Sequence, residues 1–239
     1  MSIDYTDQLR HNGELMARAV ARDLDAHVPS CPDWNVAKLS IHTGQHHRWV
    51  ADAIRRGGEP PERPAKPGLR GDELVEWFRV GWSELADLLD TSDDESPAWS
   101  WSGDNRVRFW RRRTALETLV HRWDAENAVG DTSPLDPTLS SDCVDEMLFV
   151  MAPAGGWTYK GPAARVRLAT TDTDDSWTMT LEDGKTPAVA RGSDGSPDVT
   201  FEATAADLCL FLWGRLGSDV AKVSGDDALA DSVVRWWVE

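Results

Sequence analysis

The hydrophobic pattern of this chain changes period near residue 150, and that change limits the fold to two segments of different kind. Up to that point apolar residues recur every three or four positions, and beyond it they alternate. Leu9, Met16, Val20 and Leu24 predict an amphipathic helix over roughly residues 4–26, ended by Pro29 and Pro32. Asn35 can cap a second helix by accepting hydrogen bonds from its first amides, and Val36, Leu39, Thr43, Val50 and Ile54 carry that helix to Gly57 and Gly58. Residues 57–70 hold four prolines and read as a loop. A third helix is expected from Asp72 to about Asp90, with Leu74, Trp77, Phe78, Leu85 and Leu88 turned inward. A polar loop from Thr91 to Asn105 follows. The fourth helix spans about Phe109 to Val129 and stops at Gly130, and a further one covers Ser140 to Val150.

Past the change of period, Ala164–Thr170 and Ser176–Leu181 alternate as strands around a turn at Asp172–Asp175, with shorter strands at Ala188–Arg191 and Asp198–Glu202. Thr204 or its neighbour then opens a helix through Trp213, and Asp226 or Asp227 opens the last one, to Trp237. The expected architecture is an antiparallel four-helix bundle over residues 1–152, followed by a small α+β domain over 153–239.

The formal charge of −16 removes one large class of function, because binding nucleic acid requires a basic surface. No apolar run approaches a membrane span, and the N-terminus lacks a basic stretch followed by an apolar one, so a cytoplasmic protein without membrane or nucleic-acid partners is expected. The cysteines Cys31, Cys143 and Cys209 are odd in number and far apart, which disfavours a disulfide framework or a cysteine-built zinc site.

In the helical segment, polar residues form a pair of stripes where apolar ones would be expected. On the second helix His42, His46 and Trp49 share a face; on the fourth, Arg113, Glu117, His121 and Asp124 do. Glu117 and His121 are four residues apart, about 6 Å along a helix axis, a spacing that suits two ligands of one metal. The plainer reading of the same spacing is Arg113 paired with Glu117 and His121 with Asp124, both stripes facing water. His47 falls on another face and is expected to be exposed. Glu126 points away from Glu117 and His121, toward solvent or another helix. Arg111 to Arg113 stand near a helix N-terminus, where the dipole disfavours cations, and could attract an anionic ligand.

The run from Cys31 through Pro32, Trp34, Val36 and Leu39 to His42 resembles the Pro-x-Trp-Thr-Val-x-x-Leu-x-x-His motif of the mycothiol-dependent maleylpyruvate isomerase family, which belongs to the wider DinB-like metal-binding superfamily. The run from Ala115 to Glu126 resembles the family's second motif. The stretch Ala205 to Arg215, with Gly225 and Asp226 beyond it, is similar to its C-terminal domain. The resemblance implies a DinB-like bundle holding zinc or another divalent metal through His42, Glu117 and His121, followed by a domain of sterol-carrier-like character. His46 and His47 lie beside the first ligand and leave open which imidazole binds. Trp49 and Arg113 are the candidates for contacting the cofactor.

The resemblance further implies mycothiol as a second cofactor, its sulfur made nucleophilic by zinc. A small electrophile would be the partner, and the outcome either cis/trans isomerisation of a double bond or S-transfer to a stable adduct. Arg215 matches an arginine of the family motif and could bind a carboxylate bidentately, or could cap the end of its own helix. A non-catalytic metal-binding module is the alternative from another class. Trp34, Trp49 and Trp213 are expected to pack, or to line a cleft.

Overall fold

A computed structural model describes residues 3–192 and 195–238, in two compact units, Met1–Pro134 and Leu135–Glu239. The first unit is built from α1 (Tyr5–Val20), α2 (Val36–Arg56), α3 (Gly71–Asp90) and α4 (Val107–Ala128). Each of the four packs mainly against two others, α1 and α2 both contacting α3 and α4, which is the arrangement of a four-helix bundle. Met16, Val20, Val36, Leu39, Val75, Phe78 and Ala125, one or more from every helix, form its shared core.

Local chemistry sets the ends of these helices. Asp4 and Asn35 cap α1 and α2 through side-chain oxygens that accept from Asp7 N and Lys38 N, both at 3.0 Å. The first helix is shorter than its pattern predicts. It stops at Val20 because the chain turns back and runs beside the start of α2, where Leu24 O and Ala26 O accept from Ala37 N and Val36 N. Those bonds satisfy amides that the second helix leaves open, a gain that outweighs the extra turns of α1. Gly57 and Gly130, at φ of 69° and 72°, take the left-handed conformations that let the chain leave α2 and α4.

The fourth helix departs from the amphipathic pattern of the others. It buries residues around most of its circumference, including Arg113, Thr114, Thr118, His121, Arg122, Asp124 and Glu126. Glu126, expected to face solvent or another helix, instead folds onto the loop after its own helix. Its carboxylate accepts from Ser133 N at 2.9 Å and Ser133 Oγ at 2.8 Å, and lies 3.3 Å from Arg122. Arg122 also donates to Ser133 Oγ, and to Pro134 O at 3.1 Å. A buried guanidinium needs that carboxylate, and the loop supplies two further acceptors.

The second unit begins with α5 (Pro137–Glu146), capped by Asp136 and continued by a π-helical turn, Met147–Met151, and the short α6, Ala152–Ala154. Its boundary falls between Pro134 and Leu135, earlier than the expected residue 152, because α5 packs on α7 (Ala205–Leu212). The strands β1 (Ala164–Thr170), β2 (Ser176–Leu181), β3 (Ala188–Arg191), β4 (Val199–Ala203) and β5 (Lys222–Gly225) form a sheet in the order β3-β2-β1-β4-β5. The β1–β4 pair is parallel and the others antiparallel. Buried Val166, Leu168, Met179, Leu181, Val199 and Phe201 mark the covered face, and α8 (Asp227–Val238) closes the described chain. Strand β5 has no counterpart in the sequence reading: all four of its residues are exposed, so no alternation marks it.

Helices α2 and α3 approach closely where Gly44 meets the ring of Trp77. Arg48 stacks over that ring at 3.9 Å and is itself held there by donating to Trp77 O at 2.6 Å, so an indole displaced by a new Cβ would have to give up this contact. Replacing Gly44 by alanine gains about 1 kcal/mol of helix propensity. The added Cβ would overlap the indole, a cost of about 1–3 kcal/mol. Gly44→Ala is therefore expected to lower stability, and a denaturation midpoint at or above that of the wild type would contradict this packing.

Candidate metal centre

The two polar stripes face each other. His42 on α2 and Glu117 and His121 on α4 bring one donor atom each to within 4.8 Å of one another. Glu117 Oε1 lies 3.4 Å from His42 Nε2 and 3.2 Å from His121 Nε2. The two imidazoles meet edge to face, with ring centroids 5.1 Å apart.

Each donor is aimed by a group behind it. His121 Nδ1 sits 2.9 Å from Asp124 Oδ2, which leaves Nε2 directed at the cluster, and Asp124 Oδ1 accepts from Ser30 Oγ at 2.5 Å. The other oxygen of Glu117 is held by Arg113, leaving Oε1 turned inward. Trp34 packs against His42 with ring centroids 4.9 Å apart. The pairing of Arg113 with Glu117 and of His121 with Asp124, the plainer sequence reading, is thus present, but the stripe does not face water: Arg113 is 3% exposed, His121 7% and Asp124 0%. His42 is the open member of the cluster, its side chain 43% exposed.

Burial by itself would raise the Glu117 carboxyl, but Arg113, His121 and His42 outweigh it and hold the group well below the usual carboxylate range. Burial would likewise lower His121, yet Glu117 and Asp124 carry it up to about 9. The cluster therefore offers an ionised carboxylate oxygen, and the two imidazole nitrogens join it once His121 gives up its proton. The two separations that involve Glu117, 3.2 and 3.4 Å, match the edge, about 3.3 Å, of a tetrahedron of ligands each about 2.0–2.1 Å from a zinc ion, and all three donors lie within 4.8 Å. The donor set and its spacing fit a divalent metal.

From His42 a cleft of about 300 Å³ opens within the first unit, lined by His42, Gln45, His46, Trp49, Pro61, Arg63 and Pro64. Trp49, a predicted cofactor contact, forms one of its walls and is braced edge-on by Trp99 and Trp110 at 5.9 and 5.2 Å. Arg113, the other predicted cofactor contact, lies behind Glu117. His46 lines the cleft beside His42, and burial lowers it to about 4. His47, expected to be exposed, is wholly buried and close to Thr118 Oγ1 at 3.0 Å. Helix α3 covers that face of α2, placing Phe78 against the imidazole at 5.8 Å.

Arg215 lies in the second unit, after α7, where its Nη1 donates to Trp213 O at 2.6 Å, the helix-capping geometry among its two sequence readings. Trp213 donates to Cys143 Sγ at 3.2 Å in the same unit. Sequence reasoning missed the role of Ser30, whose only signal is its place in the loop before His42, and missed Arg63, a basic residue within the proline-rich loop that follows the His42 helix.

The description "Mycothiol maleylpyruvate isomerase N-terminal domain" matches residues 6–126, and "MDMPI C-terminal domain" matches residues 138–232. Among solved structures, a mycothiol-dependent maleylpyruvate isomerase is similar with a TM-score of 0.63 at 12% identity, over 92% of this chain and 91% of that one. A histidine-to-alanine mutant of such an isomerase has a TM-score of 0.64 at 12% identity and the same coverage. At that identity the likeness is one of fold. No curated protein matches the chain. Among the described residues no helix is long and apolar enough to cross a membrane.

Two outcomes test the geometry. Because His121 holds its proton up to about pH 9 in the metal-free protein, a metal entering below that pH must displace it. Apparent metal affinity should then rise about tenfold per pH unit through the neutral range and level off above about 9; competition titrations with a chelating dye that show no pH dependence would count against His121 as a ligand. Asp124→Asn keeps all three donors but removes the charge that orients His121, and should weaken metal binding by about 10- to 100-fold.

Proposed function

Since the chain belongs to the mycothiol maleylpyruvate isomerase family, we propose that it is a metal- and thiol-dependent enzyme that isomerises a small electrophile bearing a cis double bond. The observation that carries this reading is the convergence of His42, Glu117 and His121 on one point at the head of a cleft. These three residues would hold zinc. Such an ion, when bound, makes a coordinated thiol available as thiolate near neutral pH and leaves no need for a protein cysteine as nucleophile.

The protein's own groups would divide the remaining work. Asp124 keeps His121 in the tautomer that presents Nε2, and Arg113 keeps Glu117 ionised and turned inward. Trp49 and His46 wall the cleft and exclude water from one side of the reacting molecule. An isomerase returns its thiol, whereas an S-transferase, the second outcome open to the same centre, retains the carbon–sulfur bond. Nothing in the three donors separates the two.

His121→Ala is expected to lower zinc content and thiol-dependent turnover together, with metal analysis of both proteins as the check; equal zinc in the two would remove the assignment. Free thiol measured after incubation with an unsaturated acid distinguishes the outcomes: full recovery means isomerisation, and a stable adduct seen by mass spectrometry means transfer. Absence of turnover with thiol and zinc present would leave the family's fold serving a binding role. Arg215 is proposed as a contact for the substrate carboxylate. On that role Arg215→Ala raises KM by about tenfold, in addition to any drop in melting temperature from losing its bond to Trp213 O. A pure helix cap would instead lower the melting temperature and leave KM alone.

A further inference from the structure

The cleft has two walls of different origin. One is helical, His42, Gln45, His46 and Trp49 on α2; the other is the proline-rich loop, represented by Pro61, Arg63 and Pro64. That loop is tied to α2 on either side of Arg63. Glu62 N donates to Asp52 Oδ2 at 2.9 Å, and Gln45 Nε2 donates to Pro64 O at 2.7 Å. Proline at 60, 61 and 64 fixes the local φ angles, and Pro64 restricts Arg63 before it to extended backbone. Arg63 is thus the one residue between two anchors, in a segment with little conformational freedom to lose on binding.

The charges of the loop are sorted. The Glu62 carboxylate turns to Arg56 at 2.9 Å, away from the cleft lining, while Arg63 belongs to the lining. Among the described residues no carboxylate pairs with Arg63. The chain carries 41 acidic residues against 25 basic ones, yet among the described residues no acidic side chain lines the cleft. The nearby Glu117 is already matched by Arg113. A cleft with an unpaired guanidinium, no carboxylates and an indole wall is suited to an anion attached to a small carbon skeleton.

We propose that Arg63 is a specificity residue that binds a carboxylate of the electrophile and holds it in the cleft beside the three-donor cluster; this rests on the reading that the cleft receives the reacting molecule. The guanidinium fork can donate bidentately to the carboxylate, and Trp49 can pack against the carbon chain between that group and the reacting bond.

The test uses the full-length, metal-loaded protein with maleate as a cis-dicarboxylate probe and maleamide as its uncharged counterpart, binding being followed by calorimetry. Arg63→Ala should weaken maleate binding by about tenfold, change maleamide binding by less than about twofold, and leave metal content equal to that of the wild type. Arg63→Lys should recover some of the loss. Equal weakening of both ligands, unchanged maleate binding, or no maleate binding by the wild type overturns the proposal. Arg63-dependent maleate binding in a protein without thiol-dependent turnover would sink the enzymatic reading and leave the subsite standing. Thiol-dependent turnover of a carboxylate substrate whose KM ignores Arg63 would do the reverse.

Discussion

Asp124 carries a carboxylate that is wholly buried, and the site depends on how that charge is answered. Burying it is unfavourable unless it is hydrogen-bonded and paired. Two of its partners come from different regions of the chain. His121, one turn earlier on α4, supplies Nδ1, and Ser30, in the loop before α2, supplies its hydroxyl. The first contact decides which imidazole nitrogen is left for the cluster. The second draws the loop carrying Trp34 onto α4, and Trp34 in turn rests on His42. One buried acid therefore joins the two segments that contribute the three donors.

The same economy governs the metal-free electrostatics. Glu117 sits between Arg113 on one side and two imidazoles on the other, and its depressed proton affinity follows from that company rather than from exposure. His121, held between two carboxylates, keeps a proton to high pH. That proton stands in for some of the positive charge that a metal would bring, so the buried carboxylates need not wait for an ion before the helices pack. Taking up a metal is then an exchange of cations on a prepared frame instead of the creation of a site.

Much of this frame was legible in the residues. Asn35, Gly57 and Gly130 marked helix ends because capping and left-handed turns demand particular side chains, and β1 and β2 had the expected bounds because one face of each is buried. The stripe of Arg113, Glu117, His121 and Asp124 could be drawn from spacing, but not its burial, since a helix's neighbours decide which face meets water. His47 is a different case: it stands in register with Val36, Leu39, Thr43 and Val50 on the buried side of α2, so its burial under α3 was legible from spacing and its polar side chain masked it. The early end of α1 was hidden for a related reason, the stop being set by amides of α2 that are remote in kind from α1's own periodicity. Arg63 escaped notice because a loop cation carries no periodic signal, and its meaning comes from two hydrogen bonds that pin the residues on either side.

The lock of Glu126, Arg122 and Ser133 reaches past the last residue of α4 as far as Pro134. A gene fragment cut where the helix ends would keep Arg122 but discard the serine and the carbonyl that accept from its two terminal nitrogens, leaving only Glu126 to answer a buried cation. The heritable module is consequently longer than its helices. Residues 129–134 therefore belong to the packing of the bundle itself and are not a passive linker.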